Sequence, residues 1–140
     1  MSLKLRDVPS QHMSGEEARG RHVLLDYVGY SSPVPDDGKW MLAVMREAVQ
    51  ESGIREVHSH VVSFDGVESP PGFAAVVLID ESHVTAHCYS DSGLLAIDVF
   101  TCGKDSPEGV ADYINSALEA EAEGIRLISR ESVPRFISGD

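Results

Sequence analysis

Only two segments of the chain have the apolar spacing of an amphipathic helix, and most of the remainder consists of short β-forming runs separated by turn residues. The first helix is predicted from its N-cap Asp37 to Gly53. The second begins at the N-cap and N1 pair Ser106 and Pro107 and ends at Gly124. Two one-faced helices set against several strands predict an α+β fold. We expect a two-layer α/β sandwich, with a mainly antiparallel sheet that carries both helices on one face.

The β-forming runs supply the strands of this sheet. Strands are predicted at residues 22–30, 57–64 and 73–80, in a hairpin of 83–90 with 94–102, and at 125–129. The run 73–80 is continuously apolar, which favours a strand that is covered on both faces or lies at a dimer contact.

The two halves of the chain also resemble each other. The run LLDYVGY contains Asp26 and the run AIDVFTCG contains Asp98, at matching positions. Each run is followed by a turn, a helix and a further strand, which predicts two related β-α-β units.

The length of 140 residues fits one compact domain, which we place at 20–140. Residues 1–19 are polar, contain Pro9 and Gly15 and have no periodicity, so they are predicted to be a flexible leader.

Charge and composition limit the kinds of substrate and partner that the protein is expected to bind. Lys and Arg number 11 against 23 Asp and Glu, giving a formal charge of -12 that repels phosphate and attracts cations. We therefore expect a cationic small-molecule substrate and no nucleic acid. No apolar run is long enough to span a membrane, and two cysteines make a poor disulfide framework, so free thiols and a cytoplasmic location are predicted.

Residues 79–103 hold the densest set of reactive side chains. Both cysteines and two of the six histidines lie there, and an acidic residue precedes a serine. A hairpin that turns about Ser92 would place Ser82 directly opposite Cys102. His87 is an odd number of residues from Ser82, so a regular strand would point it to the other face. A bulge or strained turn would be needed to place His87 and Ser82 on the same face of the strand.

In these motifs the chain resembles the prokaryotic S-adenosylmethionine decarboxylases. Their signature is an E-S-H motif, a histidine five residues after its serine, and a D-x-F-T-C-G motif. Residues 81–83, His87 and the run 98–103 match this signature, and the run GRHVLLD resembles the family's first strand. The resemblance covers roughly residues 20–130.

The resemblance implies a proenzyme that cleaves itself between Glu81 and Ser82 into chains 1–81 and 82–140. The Ser82 hydroxyl would attack the Glu81 carbonyl, and β-elimination would leave a pyruvoyl group at the new N-terminus. That group would form a Schiff base with the substrate amine and act as the electron sink for loss of carbon dioxide, with no metal and no added cofactor.

Two further site residues follow from the resemblance. Cys102 would return a proton to the substrate carbanion. His87 would assist self-cleavage by proton transfer, a task that suits imidazole. The family also implies a homodimer with active sites between protomers.

The substrate-binding positions depart from the family pattern. Tyr89 retains an aromatic face where the family stacks adenine, and Asp91 retains a carboxylate on a shorter arm. Ala74 stands in place of a serine that assists processing. The upstream stacking phenylalanine aligns with Glu68, and Phe64 takes its place if the loop carries an insertion.

S-adenosylmethionine is the first-choice substrate, and three alternative interpretations of the sequence stay open: another substrate, a non-catalytic role and a metal site. A basic amino acid, L-ornithine or L-arginine, would suit a pocket with an extra carboxylate at Glu68 or Asp91. An unprocessed, non-catalytic homologue would act as a binding or regulatory subunit. A zinc site is the third, with ligands drawn from His58, His60, His83, His87 and Cys88.

Overall fold

The computed structural model describes residues 18–138, and residues 1–17 of the expected leader lie outside the described residues. The elements in chain order are β1 (Ala18–Val28), α1 (Asp37–Glu51), β2 (Glu56–Phe64), β3 (Gly72–Ile79), β4 (Ser82–Tyr89), β5 (Leu94–Cys102), α2 (Pro107–Glu121) and β6 (Arg126–Ile137).

The six strands form one sheet in the order β2-β3-β4-β5-β1-β6, and every neighbouring pair is antiparallel. Helix α1 packs over β2 and β3, while α2 packs over β1 and β5 on the same side. The predicted two-layer α+β sandwich with two helices on one face is confirmed.

Both halves have the expected β-α-β order, but their crossovers differ. The connection from β1 to β2 passes three strands, whereas the connection from β5 to β6 passes only β1. Asp26 and Asp98, the residues that the sequence comparison matched, lie on the neighbouring strands β1 and β5. Common ancestry of the two units stays a prediction.

Several element boundaries differ from the predicted ones, and three of these differences have a clear physical cause or consequence. Strand β1 starts at Ala18, so the last two residues expected in the leader belong to the sheet. The N-cap of α1 is Asp36, whose side chain accepts from the Lys39 amide at 3.3 Å, and not Asp37. Asp37 is the first residue of the helix, and its carboxylate accepts a 2.9 Å hydrogen bond from the Tyr30 hydroxyl.

The third difference is the last strand, which is predicted at 125–129 and extends to Ile137. Its added residues pair with β1 through Gly20 and Arg135. Most of the strand is exposed and only weakly apolar, so periodicity did not reveal it. Backbone pairing with the edge of β1 accounts for its length.

The helices cover one face of the sheet and bury the side chains that point toward them. These include Val23, Leu25, Phe73, Val77, Ile97 and Val99, which pack against Met41, Met45, Ile114 and Leu118. The opposite face has no helix over it among the described residues, and we call it the open face. It carries His22 on β1, His83 and His87 on β4, and Asp98 and Phe100 on β5.

Strand β3 shows the contrast between the two faces. Phe73, Ala75 and Val77 are buried under the helices, while Val76 and Leu78 point to the open face and stay partly exposed. The prediction that β3 is covered on both faces is therefore wrong for a single chain, because both helices lie on one side. Its alternative, a dimer contact, stays a prediction.

We predict that Ile114→Ala destabilises the domain by about 2–5 kcal/mol, because Ile114 is fully buried between α2 and the sheet. Urea unfolding followed by circular dichroism measures the loss. The matched control is Val67→Ala on an exposed loop, for which we expect a change within about 0.5 kcal/mol. Equal effects of the two substitutions would contradict the placement of α2 in the core.

Candidate active site

The β4–β5 hairpin sets the register of the site. Tyr89 pairs with Leu94 across a four-residue connection, Ser90 to Gly93, in which Gly93 has a left-handed φ of 66°. The expected turn about Ser92 is shifted by half a residue, so the predicted pairing of Ser82 with Cys102 is wrong. Continuing the observed register places Thr101 opposite Ser82, on the helix side of the sheet.

Cys102 nevertheless contacts the expected cleavage bond. It does so from the open face, whereas Ser82 points to the helix side. Its Sγ donates to the carbonyl oxygen of Glu81 at 3.3 Å. Glu81 occupies the tight turn between β3 and β4 with a left-handed φ of 60°. A non-glycine residue in this conformation costs roughly 1–2 kcal/mol. The peptide bond between Glu81 and Ser82 thus lies at a strained turn and has a thiol on its carbonyl oxygen.

Ser82 is the first residue of β4 and is only 9% exposed. Its hydroxyl oxygen is buried and has no hydrogen-bond partner among the described residues. The neighbouring Thr101 hydroxyl is already used, since it donates to the Asp105 carbonyl at 2.9 Å. An unpartnered buried hydroxyl is costly, and such groups are found where chemistry requires them. The structure therefore places a hydroxyl without a partner beside the strained peptide bond.

Four side chains form a cluster on the open face: His22, His83, Phe100 and Arg135. The rings of His22 and His83 are 5.9 Å apart, and both contact Phe100. The Arg135 guanidinium donates to Nδ1 of His22 at 3.0 Å and lies over the Phe100 ring. Burial lowers the pKa of His83 below its ordinary value, and the neighbouring His22 lowers it further. This cluster connects side chains of β4 and β5, the strands that contain Ser82 and Cys102, with side chains of β1 and β6.

A cleft of about 540 Å³ opens at this end of the sheet. It is lined by Ala18, Arg19, Glu81, Cys102, Gly103 and Phe136. Both the residue before the expected cleavage point and the expected proton donor are therefore accessible from one cavity. A small molecule in this cleft would touch Glu81 and Cys102 together.

The expected substrate-binding residues lie at the opposite end of the sheet. Tyr89 ends β4, where it is exposed, and Asp91 lies in the turn that follows. Phe64 and Glu68 line a separate cavity of about 410 Å³. Tyr89 lies seven residues along the strand from Ser82, a distance of about 23 Å. One chain does not bring these residues to its own cleavage turn.

His87 lies between these two ends and points to the open face, as its odd spacing from Ser82 predicts. Strand β4 pairs regularly with β3 from Ser82 to Tyr89 and with β5 from His83 to Tyr89, so the bulge considered from the sequence is absent there. About 16 Å of strand separates His87 from Ser82. The cross-strand partner of His87 on β3 is Ala74, the residue that the resemblance aligned with the family's helping serine.

The residues considered for zinc do not converge. Cys88 points toward the helices, whereas His83 and His87 point to the open face. His58 lies two strands away from His83, with Leu78 between them. Among residues 18–138 no three His, Cys, Asp or Glu side chains group as metal ligands. The zinc alternative is not supported by this arrangement.

Three residues of the cleft were not anticipated from the sequence. Ala18 and Arg19 belong to the segment expected as leader, and Phe136 follows the last predicted strand. None of the three lies in a recognisable motif. The pairing of β1 with β5 brings Ala18 and Arg19 to Cys102, and the pairing of β6 with β1 brings Phe136 there.

Comparisons with known proteins agree with this architecture. A family model described as S-adenosylmethionine decarboxylase matches residues 21–131. The S-adenosylmethionine decarboxylase proenzyme of Symbiobacterium thermophilum is 34% identical over 114 residues, which cover 81% of this chain and 83% of that protein. The proenzyme of Moorella thermoacetica is 38% identical over 106 residues, which cover 74% of this chain and 80% of that protein.

A solved structure gives the same result. The crystal structure of the adenosylmethionine decarboxylase from Aquifex aeolicus superposes with a TM-score of 0.68 at 26% identity. The superposition covers 89% of this chain and 96% of that one. The fold and the comparisons together define a carboxy-lyase. More narrowly, the chain belongs to the S-adenosylmethionine decarboxylase family, as its motifs predicted.

The two thiols should differ in reactivity, because only Cys102 lies at the cleft. Burial raises the pKa of Cys88 to about 11, so about 0.1% of it is thiolate at pH 8. We expect one fast-reacting thiol when uncleaved Ser82→Ala protein is treated with 5,5′-dithiobis(2-nitrobenzoate) at pH 8. Adding Cys102→Ala should remove the fast reaction, and adding Cys88→Ala should leave it. Two equally fast thiols would contradict this assignment.

Proposed function

We propose that the chain is a self-processing S-adenosylmethionine decarboxylase of polyamine biosynthesis, cleaved between Glu81 and Ser82. The observation that carries the proposal is the contact of the Cys102 thiol with the Glu81 carbonyl oxygen, beside the buried hydroxyl of Ser82. A donor on this oxygen stabilises the negative charge that develops when a nucleophile attacks the carbonyl carbon. The curated relatives are named proenzymes, which also supports cleavage.

Cleavage would proceed by acyl transfer and elimination. The Ser82 oxygen bonds to the Glu81 carbonyl carbon, the amide carbon–nitrogen bond breaks, and an ester replaces the amide. A base then removes the Ser82 α-proton, and the Glu81 carboxylate leaves. The resulting dehydroalanine tautomerises to an imine, which water hydrolyses to a pyruvoyl group with release of ammonia. The products are chain 1–81 and pyruvoyl-blocked chain 82–140.

The pyruvoyl group supplies an electron sink for the substrate's α-amine, so that carbon dioxide leaves without an added cofactor. The remaining chemistry belongs to Cys102. Its thiol lies in the cleft beside residue 82, where it returns a proton to the carbon that loses the carboxylate. The same thiol therefore acts first on the peptide carbonyl and later on the substrate.

S-adenosylmethionine is the substrate that the family supports, over ornithine, arginine and a non-catalytic role. Tyr89 and Phe64 would offer aromatic faces to the adenine, and Asp91 and Glu68 would offer carboxylates to the cationic substrate. Tyr89 and Phe64 point to the open face from strands separated by β3, where Gly72 has no side chain to fill the gap.

The arrangement supports a homodimer in which two open faces meet. His87 and the substrate-binding residues lie far from the cleavage turn of their own chain, yet all belong to the open face or its rim. The open face also carries exposed apolar side chains, including Val62, Leu78 and Leu94. A second protomer packed on it would bring its own His87 to the Glu81 carbonyl.

We place the enzyme in the cytoplasm, with free thiols, a small cationic substrate and no nucleic-acid partner. The acidic composition supports the cationic substrate and the lack of a nucleic-acid partner, and the low cysteine count supports a reducing compartment. No helix within residues 18–138 has the length and apolarity to cross a membrane.

Ser82→Ala should abolish cleavage and decarboxylation, because it removes the only atom that can carry the ester. Denaturing intact-mass analysis of purified protein should give one uncut chain for Ser82→Ala and two fragments, divided after Glu81, for the wild type. The control is Ser92→Ala, at an exposed turn, which should cleave normally. A wild-type chain that stays whole on long incubation would overturn the proposal.

The dimer is tested by complementation between two defective chains. A His87→Ala chain, which retains Ser82, should stay largely uncut when expressed alone. Co-expression with a Ser82→Ala chain, which retains His87, should restore its cleavage, because each protomer supplies what the other lacks. Mass analysis distinguishes the chains by different tags. Failure of the mixture to cleave, or full cleavage of His87→Ala alone, would contradict the shared site.

A further inference from the structure

Two residues other than glycine have left-handed backbones in the described part of the chain, and both line the same cleft. They are Glu81, with φ 60°, and Phe136, with φ 57°. Strained residues persist where the surrounding structure holds them for a purpose, and they concentrate at functional sites. Glu81 is explained by the cleavage turn. Phe136 has no part in the chemistry described above.

The strain at Phe136 changes the face to which its ring points. Arg135, the preceding residue of β6, points to the open face, where its guanidinium lies over Phe100. Regular alternation would therefore send Phe136 toward the helices. The left-handed φ turns it back instead, and its ring packs 5.7 Å from the Phe100 ring. The backbone distortion thus adds an aromatic wall to the cleft that contains Cys102.

This ring is not held in place by burial. Phe136 is 62% exposed, so the strained conformation gains little from apolar packing within the chain. The ring leaves most of its surface available to whatever occupies the cleft. An aromatic face attracts a cation that lies over it, and a desolvated contact of this kind is among the stronger ones.

Resting on the proposed function, we infer that Phe136 is a substrate-positioning residue that binds the sulfonium side of S-adenosylmethionine. The substrate's α-amine reacts at residue 82, and its sulfonium lies only three bonds beyond the α-carbon. A group that shares a cleft of about 540 Å³ with Glu81 and Cys102 is therefore near the sulfonium. The Phe100 ring carries the Arg135 guanidinium on its face, whereas the Phe136 ring carries no such cation among the described residues.

The test compares the full-length processed enzyme with Phe136→Asn, Phe136→Leu and Phe136→Tyr. Asparagine tolerates the left-handed backbone without the ring, leucine keeps apolar bulk without a π-face, and tyrosine keeps the ring. The control is Ile128→Ala, a similarly exposed apolar side chain at the other end of β6. Intact mass reports cleavage, and initial rates with S-adenosylmethionine report KM and kcat.

We expect Phe136→Asn and Phe136→Leu to cleave fully, raise KM by about tenfold and change kcat by less than about threefold, as loss of a desolvated cation–π contact predicts. Phe136→Tyr and Ile128→Ala should behave as wild type. Wild type should also be inhibited more strongly by a sulfonium analogue than by the neutral thioether, and Phe136→Leu should lose this preference.

Each other outcome identifies what has failed. An unchanged KM in Phe136→Asn, an equal rise in Ile128→Ala, or an unchanged sulfonium preference in Phe136→Leu would overturn the inference alone. Defective cleavage of Phe136→Asn would overturn it too, since the residue would then act in the proenzyme. A wild-type chain that is uncut or inactive on S-adenosylmethionine would overturn the proposed function and the inference with it.

Discussion

The pairing of β4 with β5 is the constraint on which the site depends. Its register fixes Thr101 opposite Ser82 and brings Cys102 to the carbonyl of Glu81. A shift of one residue would turn every side chain of one strand to the other face, so the thiol and the cleavage bond would separate. The packed core beneath both strands, which includes Val84 and Val99, holds this register in place.

The same alternation divides the reactive groups between two faces and two ends. Ser82 and Thr101, at the open end of the hairpin, are buried and point toward the helices, while His83 and His87 point to the open face. A residue on one face of a rigid strand cannot turn to the other without a bulge, and β4 has none. The distance between His87 and Ser82 is thus a property of the strand itself, and it is the physical reason for a second protomer in the proposed mechanism.

Free energy is stored around the cleavage turn in two forms. One is the left-handed backbone of Glu81, and the other is the buried, unpartnered hydroxyl of Ser82. Cleavage of the peptide bond between these residues would release both. The stability of the sheet and its two helices makes this strain tolerable, because the turn is tied to strands on both sides.

Much of this could be predicted from the sequence by itself. Helical and alternating spacing determined the two helices and most of the strands, because an element that buries one face has apolar residues at regular intervals in the sequence. Linked motifs determined the family and named Ser82, His87 and Cys102. The face from which Cys102 contacts the cleavage bond was decided only by the tertiary structure. A shift of half a residue in the centre of the turn changes which residues of β4 and β5 pair. The extension of β6 to Phe136 was also decided there, since an exposed edge strand is held by backbone hydrogen bonds and leaves no apolar pattern.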